Sequence, residues 1–127
     1  MTEGQPLAGK VVAIVGTGSE MDRAIAVACA EAGADIALGT ESGAREHEYG
    51  MNSIANEIWA IGREHFARVL KGQDEAPDLV REARERLRGC DALVYRLDLD
   101  EVDGVPVVAP ANSGEATVAA VLERLGD

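Results

Sequence analysis

Residues 15–26 read Val-Gly-Thr-Gly-Ser-Glu-Met-Asp-Arg-Ala-Ile-Ala. A β-branched apolar run, Val11–Val15, leads into them, and Ala24, Ile25, Ala28, Cys29 and Ala32 follow as one helical stripe that closes at Gly33. The stretch is a strand-to-helix turn of the kind where a dinucleotide's pyrophosphate rests on bare backbone at the helix's first turn. Glu20 and Asp22 put negative charge where such a ligand would itself be negative. Gly16, Thr17, Gly18, Glu20 and Asp22 therefore read as a vestigial loop, with the architecture of nucleotide binding and without its chemistry.

Strand and helix signals alternate outward from this turn. Ala34–Gly39 is a short strand, and 40–50 reads as a charged, glycine-bearing loop. Met51–Ile61 is a helix with Ile54, Ile58 and Ile61 on one face. Glu64–Leu70 is a third strand, and Glu75–Arg88 a charged helix with Leu79, Val80, Ala83 and Leu87 inward. Asp91–Leu97 and Val105–Ala109 are the fourth and fifth strands, and a helix from Ser113 to Leu125 buries Val118, Val121, Leu122 and Leu125. This predicts one domain over 1–127 in the α/β class: a three-layer, Rossmann-like sandwich with a mostly parallel five-stranded sheet, order 3-2-1-4-5, and about four helices. Only Asp98–Gly104 connects the last two strands, too short for a helical crossover. Strand five is either parallel behind a bare extended crossover, the reading we favour, or antiparallel at the edge; a missing crossover helix leaves apolar sheet uncovered on one face and in need of a partner.

Composition narrows the functional classes. A net charge of −11 over 127 residues argues against nucleic-acid and anionic-membrane partners. No apolar run approaches the roughly 20 residues of a membrane span, and the first ten residues, which include Glu3, lack a signal segment. Cys29 and Cys90 form no C-x-x-C pair, which implies reduced, buried thiols and a cytoplasmic protein.

From Leu7 to about Leu97 the chain resembles the short-chain dehydrogenase/reductase family. The resemblance rests on Leu7-Ala8-Gly9-Lys10-Val11-Val12, Arg23-Ala24-Ile25-Ala26, Glu31-Ala32-Gly33-Ala34-Asp35-Ile36, Ile54-Ala55-Asn56-Glu57-Ile58 and Cys90-Asp91-Ala92-Leu93-Val94. It implies a Rossmann fold and an NAD or NADP cofactor, but the family's functional positions have changed. Its T-G-x-x-x-G-x-G loop falls on Val15, Gly16, Glu20 and Asp22, so one glycine is kept. Its ribose-holding acid falls on Thr40, followed by Glu41; its adenine-contacting Asp on Lys71; and its Asn-rich segment on Tyr95-Arg96-Leu97-Asp98. Four residues beyond Tyr49 and Tyr95 stand Ser53 and Leu99 instead of the family's catalytic Lys. No catalytic residue is expected, nor a bound cofactor, with Thr40, Glu41, Lys71, Tyr95 and Arg96 as vestigial contacts. The closing Glu-Arg-Leu-Gly-Asp, with Gly126 past the last helix, reads as a natural terminus or the edge of a fragment.

Ser19-x-x-Asp22 and Asn112-x-x-Glu115 read as capping boxes. His47-Glu48 lacks a second zinc ligand at Met51, and the acids of 98–109 are misplaced for a calcium loop that would need Glu at Ala109, so no metal is expected. Neither histidine has a recognisable local partner motif for nucleophilic chemistry. Lys71 and Arg96 are expected either to gather with Glu20 and Asp22 at the carboxyl edge of the sheet and close the old cleft, or to lie apart from them in separate solvated places. The leading expectation is a noncatalytic, structural or interaction subunit, a homo-oligomer or the partner of an active short-chain dehydrogenase-like subunit. The alternatives are an NAD(P)-binding oxidoreductase component with an atypical loop, and a small-ligand sensor using Thr17, Tyr95, Arg96 and Asn112.

Overall fold

The computed structural model describes residues 5–126; Glu3 and Asp127, used above to read the two ends, lie outside them. Strand β1 (Val11–Gly16) is buried along its whole length, as its unbroken apolar run requires of a strand covered on both faces. It is followed by α1 (Glu20–Glu31), β2 (Asp35–Thr40), α2 (Arg45–Ile61), β3 (His65–Arg68), α3 (Ala76–Arg86), β4 (Ala92–Val94), β5 (Glu101–Val102), β6 (Val105–Val108) and α4 (Gly114–Arg124). The sheet order is β3-β2-β1-β4-β6-β5. All pairs are parallel except β5 with β6.

Two cores flank the sheet. One holds Ile25, Cys29 and Ala26 of α1, Met51, Ile54 and Ile58 of α2, and Val121 of α4 against Val12, Ile14, Ile36 and Leu38. The other packs Leu79, Val80 and Ala83 of α3 against Val11, Ala13, Val15, Phe66 and Leu93. The arrangement is the expected three-layer α/β sandwich. Helix α4 crosses α1 at small residues: a methyl built on Gly114 would stand 2.5 Å from the carbonyl oxygen of Ala24 and 2.8 Å from the Ala28 methyl.

Three features differ from the expected architecture. Helix α2 begins at Arg45, inside the stretch read as loop. Its first turns are polar and hold Gly50, and glycine inside a helix costs about 1 kcal/mol relative to alanine, so local propensity spoke against them. The site geometry below supplies the tertiary reason. In α1 the buried face is completed by Ala26 and Ala30, while Ala24 is exposed.

The third difference is the connection after β4. The expected fifth strand is β6, parallel to β4 with Leu93 opposite Val107, as read from the sequence. The chain before it is no bare crossover. It folds back as β5, a sixth strand, antiparallel to β6 with Val102 opposite Val105. Asp103 and Gly104 form the tip with φ of 52° and 84°, the two positive angles of a tight hairpin turn that Asp-Gly favours. Val102 and Val105 enter the second core, and Arg84 donates to the Asp103 carboxylate at 2.6 Å and to its carbonyl at 2.7 Å. The hairpin widens the sheet at its edge and buries Val102 and Val105, while Leu97 and Val107 on that side stay partly exposed. Among the described residues no helix is long and apolar enough to cross a membrane.

Candidate functional site

The loop between β1 and α1 is filled by its own helix. Asp22 Oδ2 accepts the backbone N–H groups of Thr17 at 2.9 Å, Gly18 at 3.1 Å and Ser19 at 3.2 Å. The Ser19 hydroxyl accepts from the Asp22 N–H at 3.1 Å, which completes the predicted capping box. Consecutive amides converging on one point form a nest for an anion, strengthened by the positive end of the helix. Here the anion is a side chain. The carboxyl carbon of Asp22 lies so close to β1 that a methyl on Gly16 would stand 2.5 Å from it. The glycine kept from the resembled motif thus makes room for Asp22.

Glu20 plays no part in this nest. Its side chain is 90% exposed and lies 3.6 Å from Arg23, which is also paired with Glu57 of α2. A second closure comes from α2. A methyl on Gly18, whose φ is +87°, would stand 2.6 Å from the carbonyl carbon of Gly50, and one on Gly50 would stand 3.0 Å from the carbonyl oxygen of Thr17. The first half of α2 therefore lies directly on the loop, and Gly50 is the residue that permits this approach.

The remaining candidates separate. Thr40 is 2% exposed and faces the interior: its hydroxyl accepts the Leu70 N–H at 2.7 Å and donates to the Leu70 carbonyl at 3.0 Å, tying the end of β2 to the chain leaving β3. It presents nothing to a ribose. Glu41, Tyr95 and Arg96 do come together, with Gln73, around a cavity of about 320 Å³ at the carboxyl end of the sheet. Burial, helped by the charges of Glu41 and Asp74, raises the pKa of the Tyr95 phenol. Lys71 lies apart from that cavity; its backbone N–H donates to Glu75 Oε1 at 2.9 Å.

Among the described residues neither Lys71 nor Arg96 forms an ion pair with Glu20 or Asp22. The closure expected from this basic pair is made instead by Asp22's own bonds and by α2. At the last helix the N-cap is Ser113, not Asn112: its hydroxyl accepts from the Ala116 N–H at 3.0 Å, and Asn112 is exposed.

One pairing escaped the sequence reading. Ser42 Oγ lies 2.8 Å from His47 Nδ1 and also accepts the Ala44 N–H at 3.1 Å. The pair knots the turn that enters α2, which has no side-chain cap of its own at Ala44. Ser42-x-Ala44 is a hydroxyl-turn signal, set in a segment whose charge and glycine content otherwise read as loop. Cys29 is buried, and burial pushes its thiol up to about 12; Cys90, partly buried, is pushed to about 11 by the same cause. Among the described residues no three His, Cys, Asp or Glu side chains gather to hold a metal ion.

No family profile and no curated protein matches the sequence. Solved structures do. A short-chain type dehydrogenase/reductase from Mycobacterium marinum aligns over 76% of this chain and 38% of its own, at 27% identity and a TM-score of 0.53. Hydroxysteroid dehydrogenase from Escherichia coli aligns over 69% of this chain and 36% of its own, at 28% identity and 0.58. Carveol dehydrogenase from Mycobacterium avium, in complex with NAD, aligns over 77% and 38% at 22% identity and 0.64. The chain has the short-chain dehydrogenase/reductase fold, as its sequence resemblance implied. It spans less than two-fifths of the length of these structures.

Proposed function

We propose that this chain is a noncatalytic, short-chain dehydrogenase-like protein that works as a structural or interaction subunit, self-associating or pairing with an active oxidoreductase. The observation that carries this reading is the Asp22 carboxylate on the amides of Thr17, Gly18 and Ser19. Those donors would otherwise hold a dinucleotide's pyrophosphate. A cofactor would have to break these charge-assisted bonds and then sit beside the displaced carboxylate.

A calorimetric titration of the purified protein with NADH and with NADPH tests the reading. Absence of binding to millimolar cofactor is the expected result. Saturable binding at micromolar cofactor would overturn it and favour an NAD(P)-binding oxidoreductase component with an atypical loop. A second reading, a small-ligand sensor, draws on the cavity where Tyr95, Arg96, Glu41 and Gln73 meet. Arg96 there suits an anionic group and the Tyr95 hydroxyl a hydrogen-bonding one. A small molecule retained through purification and lost in an Arg96→Ala variant would support that reading.

A further inference from the structure

We propose that the outer face of α2 pairs antiparallel with the same face of a second copy of this chain, about a twofold axis at the level of Ile54. The proposal deepens the assembly part of the function above by naming the surface and its occupant. It starts from an anomaly of charge. The chain carries −11 and is 28% charged, and the first turn of α2 exposes Arg45, Glu46 and Glu48, yet beyond it the exposed positions Tyr49, Asn52, Ser53, Asn56, Trp59 and Ala60 form an uncharged strip along the outside of the helix. The opposite face, Met51, Ile54 and Ile58, is buried, so the strip points straight to solvent.

The strip also holds the exposed aromatic surface of the molecule. Trp59 is 75% exposed and Tyr49 66%, whereas Phe66 and Tyr95 are buried at 4% and 3%. Aromatic side chains with few charges between them are the composition of an interface centre. The occupant follows from charge. A basic partner would gain most from the acidic remainder of the surface. Two copies of one acidic body repel each other least where neither presents an acid.

The sequence of the strip is self-complementary in the way a twofold contact demands. Tyr49 and Trp59 are equidistant from Ile54, as are Asn52 and Asn56. Antiparallel pairing therefore brings Tyr49 of one copy to Trp59 of the other at both ends, with Asn52 and Asn56 amides facing each other between them. Ser53 and Ala60 are small and let the helices approach. Helix α2, with 17 residues, is about 25 Å long. A single helix pair belongs with the small, weak class of interfaces, below the roughly 800 Å² per partner of a standard stable one.

Trp59 is the one tryptophan in the chain, so its emission reports on this face alone. Sedimentation velocity and tryptophan emission are followed together from about 1 μM to about 1 mM protein. The expected result is a monomer–dimer shift, with blue-shifted Trp59 emission and reduced acrylamide quenching over the same range. Added salt should tighten the dimer, because it screens repulsion between two acidic bodies. Asn56→Glu, and separately Asn52→Glu, should weaken association about tenfold or more with the circular dichroism unchanged; Glu101→Gln, on the hairpin, should not. Sedimentation as a monomer throughout overturns the proposal. So does a dimer in which Trp59 stays fully quenchable or both Asn variants associate normally. None of these readouts depends on nucleotide, so failure here and failure of the cofactor titration are distinguishable.

Discussion

Gly18 and Gly50 meet backbone to backbone: a methyl added to Gly50 would stand 2.7 Å from the Cα of Gly18 and 3.0 Å from the Thr17 carbonyl oxygen. In an ordinary exposed helix, replacing glycine by alanine stabilises by about 1 kcal/mol. At Gly50 the sign should reverse, because the methyl forces α2 off the loop. Gly50→Ala is expected to destabilise by about 1–3 kcal/mol, the range for an overpacked contact. Thermal unfolding of the two proteins decides it; an unchanged or raised midpoint would show that the helix is not pressed on the loop.

Asp22 should be worth more to stability than its half-buried position suggests. Asp22→Ala removes the acceptor shared by three amides and half of the capping box, for an expected loss of about 2 kcal/mol. The emptied nest should then take an external anion. Millimolar inorganic phosphate is expected to raise the melting temperature of the variant more than that of the parent protein. Equal phosphate effects on the two would mean that these amides are no anion site at all.

The Thr40 hydroxyl bonds both backbone groups of Leu70 in the interior. Thr40→Val keeps the shape and strands a buried N–H and a buried C=O. Each such orphan costs about 1–3 kcal/mol, so a loss of about 2–4 kcal/mol in denaturant unfolding is expected. Thr40→Ser retains the bonds and should recover most of the loss.

Both thiols should be inert in the folded protein. Burial raises Cys29 from 9.0 to about 12 and Cys90 from 9.0 to about 11, so neither supplies the thiolate that reacts at neutral pH. A folded-state value above the unfolded one means that the folded protein holds its protons longer. The stabilisation is complete below pH 9 and is lost as pH climbs through the folded values toward 11 and 12. Thiol titration with a disulfide reagent should give little reaction at neutral pH until denaturant is added, and unfolding free energy should fall with pH in that alkaline window.

The fold was legible where one residue pattern served one element. The unbroken apolar run of β1, the Ile54–Ile58 face of α2 and the Gly33 and Gly62 stops state their roles locally, and the structure keeps them. The misread places are those where a distant contact decides. Arg45–Gly50 is helical although polar and glycine-bearing, because Gly50 fits against Gly18, far away in sequence. Asp103-Gly104 carries a hairpin signal, but the length of Asp98–Gly104 also suits a bare crossover, and only the pairing of Val102 with Val105 separates the two. At the site, Ser19 and Asp22 were readable as a cap. That Asp22 would reach back to Thr17 and Gly18 was not, since it depends on the path of the turn after β1.

The carboxylate in the loop also changes what sets the loop's order. When a metabolite fills such a nest, the gain in stability scales with the logarithm of its concentration over its dissociation constant, so the turn firms and loosens with supply. Asp22 is tethered a few residues from the amides it caps, and tethering fixes its local concentration whatever the surroundings contain. On the reading proposed above, the turn keeps the shape of a saturated site at every metabolite level, and α2 rests on a foundation that does not respond to supply.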